Sequence, residues 1–130
     1  MGSFTFTTQL ADGRAVIRTQ GYLSRTAGEQ LELEIVRLLG GGVCRFVVNL
    51  HGTDLINSVG ISILIGVIEN VRAQGGDLAF SELSLVNEEI FRIMGLHRHA
   101  RLLRGDGEEA IALSNGTGRG TPTAASSCGG

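Results

Sequence analysis

The sequence predicts a single α/β domain in which helices pack on a mixed β-sheet. Alternating or apolar runs typical of strands take turns with longer amphipathic runs typical of helices. Helices join the later strands, which are therefore expected to pair in parallel, whereas only a turn separates the first two strands, which form a hairpin. With 130 residues, 42% of them hydrophobic and 18% charged, the chain suffices for one buried core but is too short for two ordinary domains.

Strands are predicted where short apolar or alternating runs are bounded by turn residues. The first run alternates phenylalanine with threonine, and Ala11-Asp12-Gly13 is a turn signal between it and the second run. The third run is apolar along most of its length, as a buried strand is. In chain order the predicted strands are Phe4–Gln9, Ala15–Gln20, Arg45–Leu50, Leu78–Ser81 and Leu102–Leu103.

Helices are predicted between these strands, most of them with a polar residue at the start and a glycine at the end. Ser24 or Thr26 can cap the first, Asn87 starts the third and Asp106 caps the last. The predicted helices are about Ala27–Leu39, the segment from Ser58 to the Gly75-Gly76 stop, the segment from Asn87 to Met94, and a short helix around Glu108–Leu113. The complete order is therefore β-β-α-β-α-β-α-β-α.

Composition divides the chain into two parts. Residues 1–113 carry the predicted strands and helices and are expected to form the domain. From Ser114 onward the chain is mostly glycine, serine, threonine and alanine. Because this segment lacks the apolar groups that would offset the entropy of ordering, residues 114–130 are predicted to be a flexible tail.

Several functional classes are excluded by charge and composition. The formal net charge of −2 gives no electrostatic footprint for nucleic acid. No apolar run approaches the ~18 residues of a membrane span, and the N-terminus lacks a signal-peptide pattern, so we expect a cytoplasmic protein without direct membrane insertion. Cys44 and Cys128 do not suggest a disulfide framework. No cofactor motif is visible, since the glycine runs lack the Lys-Ser/Thr of a phosphate-binding loop.

The histidines near the C-terminal end of the predicted domain do not predict a metal site. His97 and His99 lie on a predicted turn beside Arg98, Arg101 and Arg104. A metal normally needs further ligands and a less cationic surround. This basic cluster is either an ordinary solvated surface, which we expect, or a site for an acidic partner or a phosphate.

The predicted functional centre is Ser58, in the stretch Phe46–Arg72. A strand, a polar turn and the string Asn57-Ser58-Val59-Gly60 precede an apolar helix, which places Ser58 at or beside the helix N-terminus. Unpaired backbone N–H groups and the helix dipole favour an anion there. The hydroxyl can cap the helix, and a phosphate on it would be tolerated. No histidine and acid are visibly placed to make it a catalytic nucleophile, so we expect no enzyme.

The helix after Ser58 has two apolar stripes. One stripe is expected to face the sheet and comprises Ile61, Leu64, Ile65, Ile68 and Val71. The second stripe, Val59, Ile63 and Val67, lies on roughly the opposite side. It is either buried under a neighbouring element or forms an exposed contact surface beside Ser58, and we prefer the contact surface.

A family resemblance rests on an ordered set of segments rather than on one motif. The segments are Val47–Leu50, Ile56–Ile61, Gly75–Leu78, Ile90–Leu96 and Glu108–Ile111. Together they resemble a STAS domain, most closely those of the bacterial anti-sigma factor antagonists, and the resemblance covers Phe4 to about Leu113. It implies the same α/β fold and a non-enzymatic regulatory binding module.

The resemblance also implies a phosphorylation switch. Family antagonists typically carry Asp-Ser-Ser/Thr-Gly where this chain has Asn57-Ser58-Val59-Gly60. The serine that matches Ser58 is phosphorylated by an anti-sigma factor that is also a serine kinase. The unphosphorylated antagonist binds that factor and frees a sigma factor, and a serine phosphatase resets the cycle. An alternative is a STAS docking subunit of a transport or membrane-lipid trafficking complex, which is not phosphorylated.

The expected partner-binding surface surrounds Ser58. Two of its positions depart from the family pattern: Asn57 replaces the usual acid, and Ser24 stands where many relatives have an acidic residue. Asp54, in the loop before Ser58, either forms part of a turn or helps to position the hydroxyl for the kinase. The full expected set is Ser24, Asp54, Asn57, Ser58, Val59, Gly60, Ile63 and Val67.

Overall fold

The fold is a five-stranded mixed sheet with three helices, seen in a computed structural model that describes residues 4–103. In chain order the elements are β1 (Thr5–Ala11), β2 (Arg14–Gln20), α1 (Arg25–Gly40), β3 (Arg45–Gly52), α2 (Ser58–Ala73), β4 (Asp77–Ser81), α3 (Leu85–Ile93), a 3₁₀ turn (Leu96–Arg98) and β5 (Arg101–Leu103). The predicted helix around Glu108–Leu113 and the predicted tail 114–130 lie outside the described residues.

The sheet topology confirms the predicted mixed sheet. The strands lie side by side in chain order; β1 pairs with β2 antiparallel, and every later pair is parallel. The hairpin turn places Asp12 (φ 51°) and Gly13 (φ 78°) in the left-handed region. An Asp-Gly pair adopts this conformation at little cost, and the resulting turn matches the twist of the two strands.

The main core lies between the sheet and the helices. Successive strand residues point to opposite faces of the sheet, so Ile17, Val48 and Phe80 face the helices while Val16 and Val47 face the other side. Both α1 and α2 direct buried leucine and isoleucine side chains into this core. α3 joins it through Phe91, whose ring meets the Phe80 ring edge to face at 5.0 Å.

The third helix begins earlier than the sequence predicts. Asn87 is not its first residue: α3 begins at Leu85, and the Ser84 hydroxyl caps it by accepting a 3.1 Å hydrogen bond from the Asn87 backbone N–H. Serine and asparagine cap helices equally well, so the sequence alone does not decide between them. The Asn87 side chain is buried instead. Across residues 4–103, no helix has the length and apolar character needed to span a membrane.

Candidate functional site

Two helix N-termini meet at the edge of the sheet where the parallel strands end. The loop after β2 and the loop after β3 run side by side and form a short parallel bridge between Leu23 and Ile56. The Leu23 N–H donates to Leu55 O at 2.9 Å, and the Asn57 N–H donates to Leu23 O at 3.1 Å. These hydrogen bonds join the two loops into one unit. The two loops lead directly to Ser24, at the start of α1, and to Ser58, at the start of α2.

Glycines allow these two helix starts to approach closely. A Cβ atom added at Gly60 would lie 2.7 Å from Leu23 O and 3.0 Å from Ser24 O. On the facing helix, a Cβ added at Gly28 would lie 3.3 Å from the Ile63 Cβ and 3.4 Å from Gly60 O. Gly60 is buried in this contact. Gly60 was expected to bind the partner, but it packs between the two helix starts and is not exposed.

Asn57, and not Ser58, caps α2. The Asn57 side chain Oδ1 accepts a 2.8 Å hydrogen bond from the Gly60 N–H, and the Asn57 backbone is extended, as a cap residue requires. Ser58 is the first residue of the helix, and it is exposed. The alternative role for Ser58, a hydroxyl that caps the helix, is therefore wrong, because the Asn57 side chain is the cap.

Ser24 caps α1, as the sequence predicts. Its hydroxyl accepts a hydrogen bond from the Ala27 N–H at 3.3 Å, and the side chain is only partly exposed. Of the two candidates, Ser24 and Thr26, the structure selects Ser24. Its carbonyl oxygen also lies close to the position that a side chain at Gly60 would need. Ser24 is therefore part of the framework that positions the start of α2.

A buried threonine anchors the loop that precedes Ser58. Thr53 is 2% exposed, and its hydroxyl shares a 2.7 Å hydrogen bond with the Thr19 hydroxyl on β2. Its backbone oxygen accepts a 3.0 Å hydrogen bond from the Asn87 side chain on α3. The next residue, Asp54, is exposed. The sequence analysis did not identify Thr19, Thr53 and Asn87 as residues that hold this loop. The signal available in the sequence was a polar residue beside the apolar positions of a predicted strand or helix.

Comparison with known proteins identifies the fold family. A family model for the STAS domain matches residues 5–108 of the chain. The chain belongs to the STAS family. It is 32% identical over 84 residues to a protein of Bordetella bronchiseptica, BtrV, described as an anti-sigma factor antagonist. That match covers 65% of this STAS protein and 72% of BtrV.

Solved STAS structures share the architecture at lower identity. The unphosphorylated form of SpoIIAA matches with a TM-score of 0.68 at 22% identity, over 86% of this chain and 99% of SpoIIAA. The phosphorylated form of SpoIIAA, from Bacillus, gives 0.65 at 23% identity, over 82% and 96%. An anti-sigma factor antagonist from Mycobacterium paratuberculosis gives 0.74 at 20% identity, over 86% and 95%. The STAS fold, in which the described residues follow the order β-β-α-β-α-β-α-β, is thereby confirmed.

The second apolar stripe of α2 is only partly exposed in this STAS domain. Val59 is 48% exposed beside Ser58, whereas Val67 is 2% exposed and belongs to the core. Ile63 lies between these extremes and packs near Gly28 of α1. We preferred an exposed contact surface for this stripe, and for Val67 that prediction is wrong, because α1 covers that side of α2. The alternative, burial under a neighbouring element, is correct for Val67.

The exposed apolar surface at this edge is wider than the stripe. Leu55 is exposed in the loop before Ser58, and Leu85 and Val86 are exposed in the first turn of α3, Leu85 at 82%. The Asn87 to Thr53 hydrogen bond ties this turn to the loop. We call Leu55, Val59, Leu85 and Val86 the edge patch. The sequence analysis identified Val59 and missed the other three, because they lie outside any periodic apolar stripe.

Metal chemistry has no support in this part of the chain. Within residues 4–103, no three histidine, cysteine, aspartate or glutamate side chains come together to hold a metal ion. Ser24, Asp54, Asn57, Ser58 and Val59 lie at one end of the sheet, as do the other residues of the edge patch. Exposed apolar residues grouped in this way suit recognition of another protein.

Proposed function

We propose that this STAS protein is an anti-sigma factor antagonist that binds an anti-sigma factor, frees a sigma factor, and is switched off by phosphorylation of Ser58. One observation carries the proposal: Ser58 is exposed at the first position of α2, while Asn57 supplies the cap. The hydroxyl is therefore free to enter a kinase active site. The relationship to BtrV and the fold shared with SpoIIAA support the antagonist role.

The position of Ser58 allows a phosphate without disrupting the fold. Backbone N–H groups and the positive end of the helix dipole lie at the start of a helix and favour negative charge. Asn57 adds no negative charge beside the phosphate, unlike the aspartate of the family motif. SpoIIAA has been solved in phosphorylated and unphosphorylated forms that share the fold of this chain, which agrees with a local effect.

The switch acts through the partner rather than through the fold. A phosphoserine carries about −1.5 to −2 charges at neutral pH and holds a shell of water. A partner that covers Val59 and Leu55 would have to dehydrate that charge against exposed apolar groups. Binding is therefore lost while the structure of the antagonist is retained.

The proposed partners follow from the same cycle. The anti-sigma factor is expected to be a serine kinase that modifies Ser58, and a serine phosphatase returns the protein to its binding form. Proteins of this family are generally binding modules without enzymatic activity. The chain therefore acts as a phosphoacceptor and competitor rather than as a catalyst.

The test is an intact mass spectrum of the protein after incubation with ATP and the candidate serine kinases of its own genome. The proposal expects one added phosphate, located on Ser58, and no phosphate on the Ser58→Ala variant. Ser62→Ala is the matched control, because Ser62 is an exposed serine one turn further along α2. A phosphate that persists in Ser58→Ala, or that disappears in Ser62→Ala, contradicts the assignment of Ser58.

Asn57 favours a second candidate, a STAS docking subunit that binds its partner without phosphorylation. The amide keeps the cap but removes the acid of the family motif, so the site no longer matches the pattern in relatives that are phosphorylated. This candidate expects a partner to bind the wild type and Ser58→Ala equally, with or without ATP. Phosphorylation by a kinase that also binds the protein would exclude it.

A further inference from the structure

The outward face of α3 carries exposed apolar side chains from its first turn to its last. Leu85 and Val86, in the first turn, are 82% and 65% exposed, and Ile93, in the last turn, is 75% exposed. The opposite face of the helix buries Asn87 and Phe91. Single exposed apolar residues are ordinary, but three on one nine-residue helix form a continuous surface. We call Leu85, Val86 and Ile93 the α3 strip.

Glu89 lies at the centre of the α3 strip. Residues three or four positions apart are neighbours on the surface of a helix. Leu85 and Val86 therefore lie one turn before Glu89, and Ile93 lies one turn after it. A protein that covers both ends of the strip must also cover Glu89.

The carboxylate of Glu89 has no basic partner in the described part of the chain. No ion pair joins it to an arginine or histidine of residues 4–103. The arginine of the same helix, Arg92, pairs instead with Glu88 at 3.0 Å. Glu89 is exposed, so its charge is compensated by water. The strip thus combines an apolar surface with one negative charge that lacks a counter-charge.

The α3 strip continues the edge patch, because Leu85 and Val86 belong to both. Ile93 lies roughly 12 Å from Leu85 along the helix axis, at about 1.5 Å per residue. A specific protein interface involves about 20–30 residues from each partner, so the edge patch alone is too small to form one. A partner seated on the edge patch therefore reaches Ile93 within an interface of ordinary size.

We propose that the anti-sigma factor covers the α3 strip together with the edge patch and places an arginine or lysine against Glu89. This inference rests on the proposed function. Covering the strip removes Glu89 from water, and an ionised carboxylate that loses its hydration without a counter-charge is costly. A basic side chain in the partner offsets that cost, and a guanidinium group can do so with two parallel hydrogen bonds.

Glu89 also argues against a second copy of this chain as the occupant. In a two-fold interface the residue at the centre of the patch meets its own copy. A pairing that matches the apolar residues of two α3 strips would therefore place two unpaired carboxylates together, and like charges repel.

The C-terminal part of the sequence offers no better match to the strip. Residues 114–130 contain no leucine, isoleucine, valine, methionine or phenylalanine. Between Leu103 and Ser114 the sequence has one basic residue, Arg104, and three acidic residues, Asp106, Glu108 and Glu109. The excess charge of that segment has the same sign as that of Glu89, which favours a different protein as the occupant.

The test is surface plasmon resonance with the immobilised serine kinase that phosphorylates Ser58 in the mass-spectrometric experiment. ATP is omitted, so that Ser58 stays unmodified. Glu89→Lys and Ile93→Asp should each weaken binding by about tenfold or more. Glu89→Gln should weaken binding less, and the affinity of this variant should fall less steeply with added salt, because the ion pair that salt screens is absent.

Glu32→Lys is the matched control. Glu32 is an exposed glutamate of α1 beside the exposed Leu33, and no ion pair joins it to another residue of the described chain. We expect this variant to bind as the wild type does. Thermal unfolding of each variant verifies that the fold is retained. An arginine or lysine of the kinase whose replacement by glutamate restores the binding of Glu89→Lys would identify the counter-charge.

The outcomes separate this inference from the proposed function. If the wild type binds and is phosphorylated on Ser58 but Glu89→Lys and Ile93→Asp bind equally well, the α3 strip lies outside the interface while the proposed function stands. Equal weakening in Glu32→Lys would indicate general electrostatic attraction and overturn the inference. If no kinase binds or modifies the wild type, the proposed function fails and the inference fails with it.

A second copy as the occupant has its own signature. Sedimentation of the protein alone would then show a dimer that Ile93→Asp dissociates, and that result would overturn the assignment of the strip to the anti-sigma factor. We expect a monomer whose sedimentation does not change in Ile93→Asp.

Discussion

The Gly60 backbone N–H donates a 2.8 Å hydrogen bond to Oδ1 of Asn57, and this contact closes the first turn of α2 around Ser58. The same Gly60 lies against Leu23 O and Ser24 O, so the turn is fixed from inside by the cap and from outside by the start of α1. Ser58 takes part in neither constraint through its hydroxyl. The site thus combines a rigid backbone with a chemically free side chain.

Replacement of Asn57 by alanine should destabilise the protein by about 1 kcal/mol, because one N–H of the first turn loses its partner. Asn57→Asp should change the free energy of unfolding by only a few tenths of a kcal/mol, since aspartate caps a helix as well as asparagine does. Urea denaturation measures both variants. If both variants lost the same free energy of unfolding, the hydrogen bond of the cap would contribute nothing to stability.

Gly60→Ala should destabilise the fold by about 1–3 kcal/mol, because the added methyl group meets two backbone oxygens that cannot withdraw easily. Gly66, in the same helix, is exposed and has nothing within 4 Å of an added Cβ. Gly66→Ala should therefore stabilise the protein by about 0.5–1 kcal/mol through helix propensity. Opposite signs in thermal or urea unfolding are expected, and a neutral Gly60→Ala would contradict the close approach.

Asn87→Ala should cost about 1–3 kcal/mol, since it leaves the buried backbone oxygen of Thr53 without its donor. The loop before Ser58 should loosen as well. Hydrogen exchange at the Asn57 N–H, which donates to Leu23 O, reports this change. Asn70→Ala, an exposed asparagine on α2, is the control. Unchanged exchange at Asn57 in the Asn87 variant would show that α3 does not hold the loop.

Val59→Asp and Leu85→Asp should each weaken binding to the proposed anti-sigma factor partner by at least about tenfold, because a charge enters the edge patch. Both side chains are exposed, so unfolding temperatures should change little. Leu33→Asp is the matched control, since Leu33 is 71% exposed on α1 outside the edge patch. Surface plasmon resonance with the purified partner measures the three affinities. Loss of binding in the Leu33 variant would argue against the edge patch as the specific contact.

Hydrophobic periodicity was sufficient to predict most of the fold. Each burial pattern has its own period in the sequence: alternation in β1, a continuous apolar run in β3, and a stripe that faces the sheet in α2. The order of these elements predicts a hairpin followed by parallel strands that helices connect. Periodicity could not assign the second stripe of α2. Val67 is buried because α1 packs against that side, which is a tertiary contact that the local pattern does not contain.

The details of the candidate site were less predictable than its location. Adjacent residues such as Asn57 and Ser58 are similar as helix caps, and only the folded structure shows that Asn57 is the cap and Ser58 the first residue of the helix. The bond from Asn87 to Thr53 joins residues 34 positions apart, so only the folded chain brings them together. Ser58 itself was found because an apolar helix follows a small polar string.

The most direct test of the switch is the affinity of the anti-sigma factor for four forms of the protein: unmodified, phosphorylated on Ser58, Ser58→Ala and Ser58→Asp. The proposed mechanism predicts that Ser58→Ala binds as the unmodified protein does. The phosphorylated form and Ser58→Asp should bind at least about tenfold more weakly at an unchanged unfolding temperature. Equal binding by all four forms would contradict the account, because the charge at Ser58 would then have no effect on the partner.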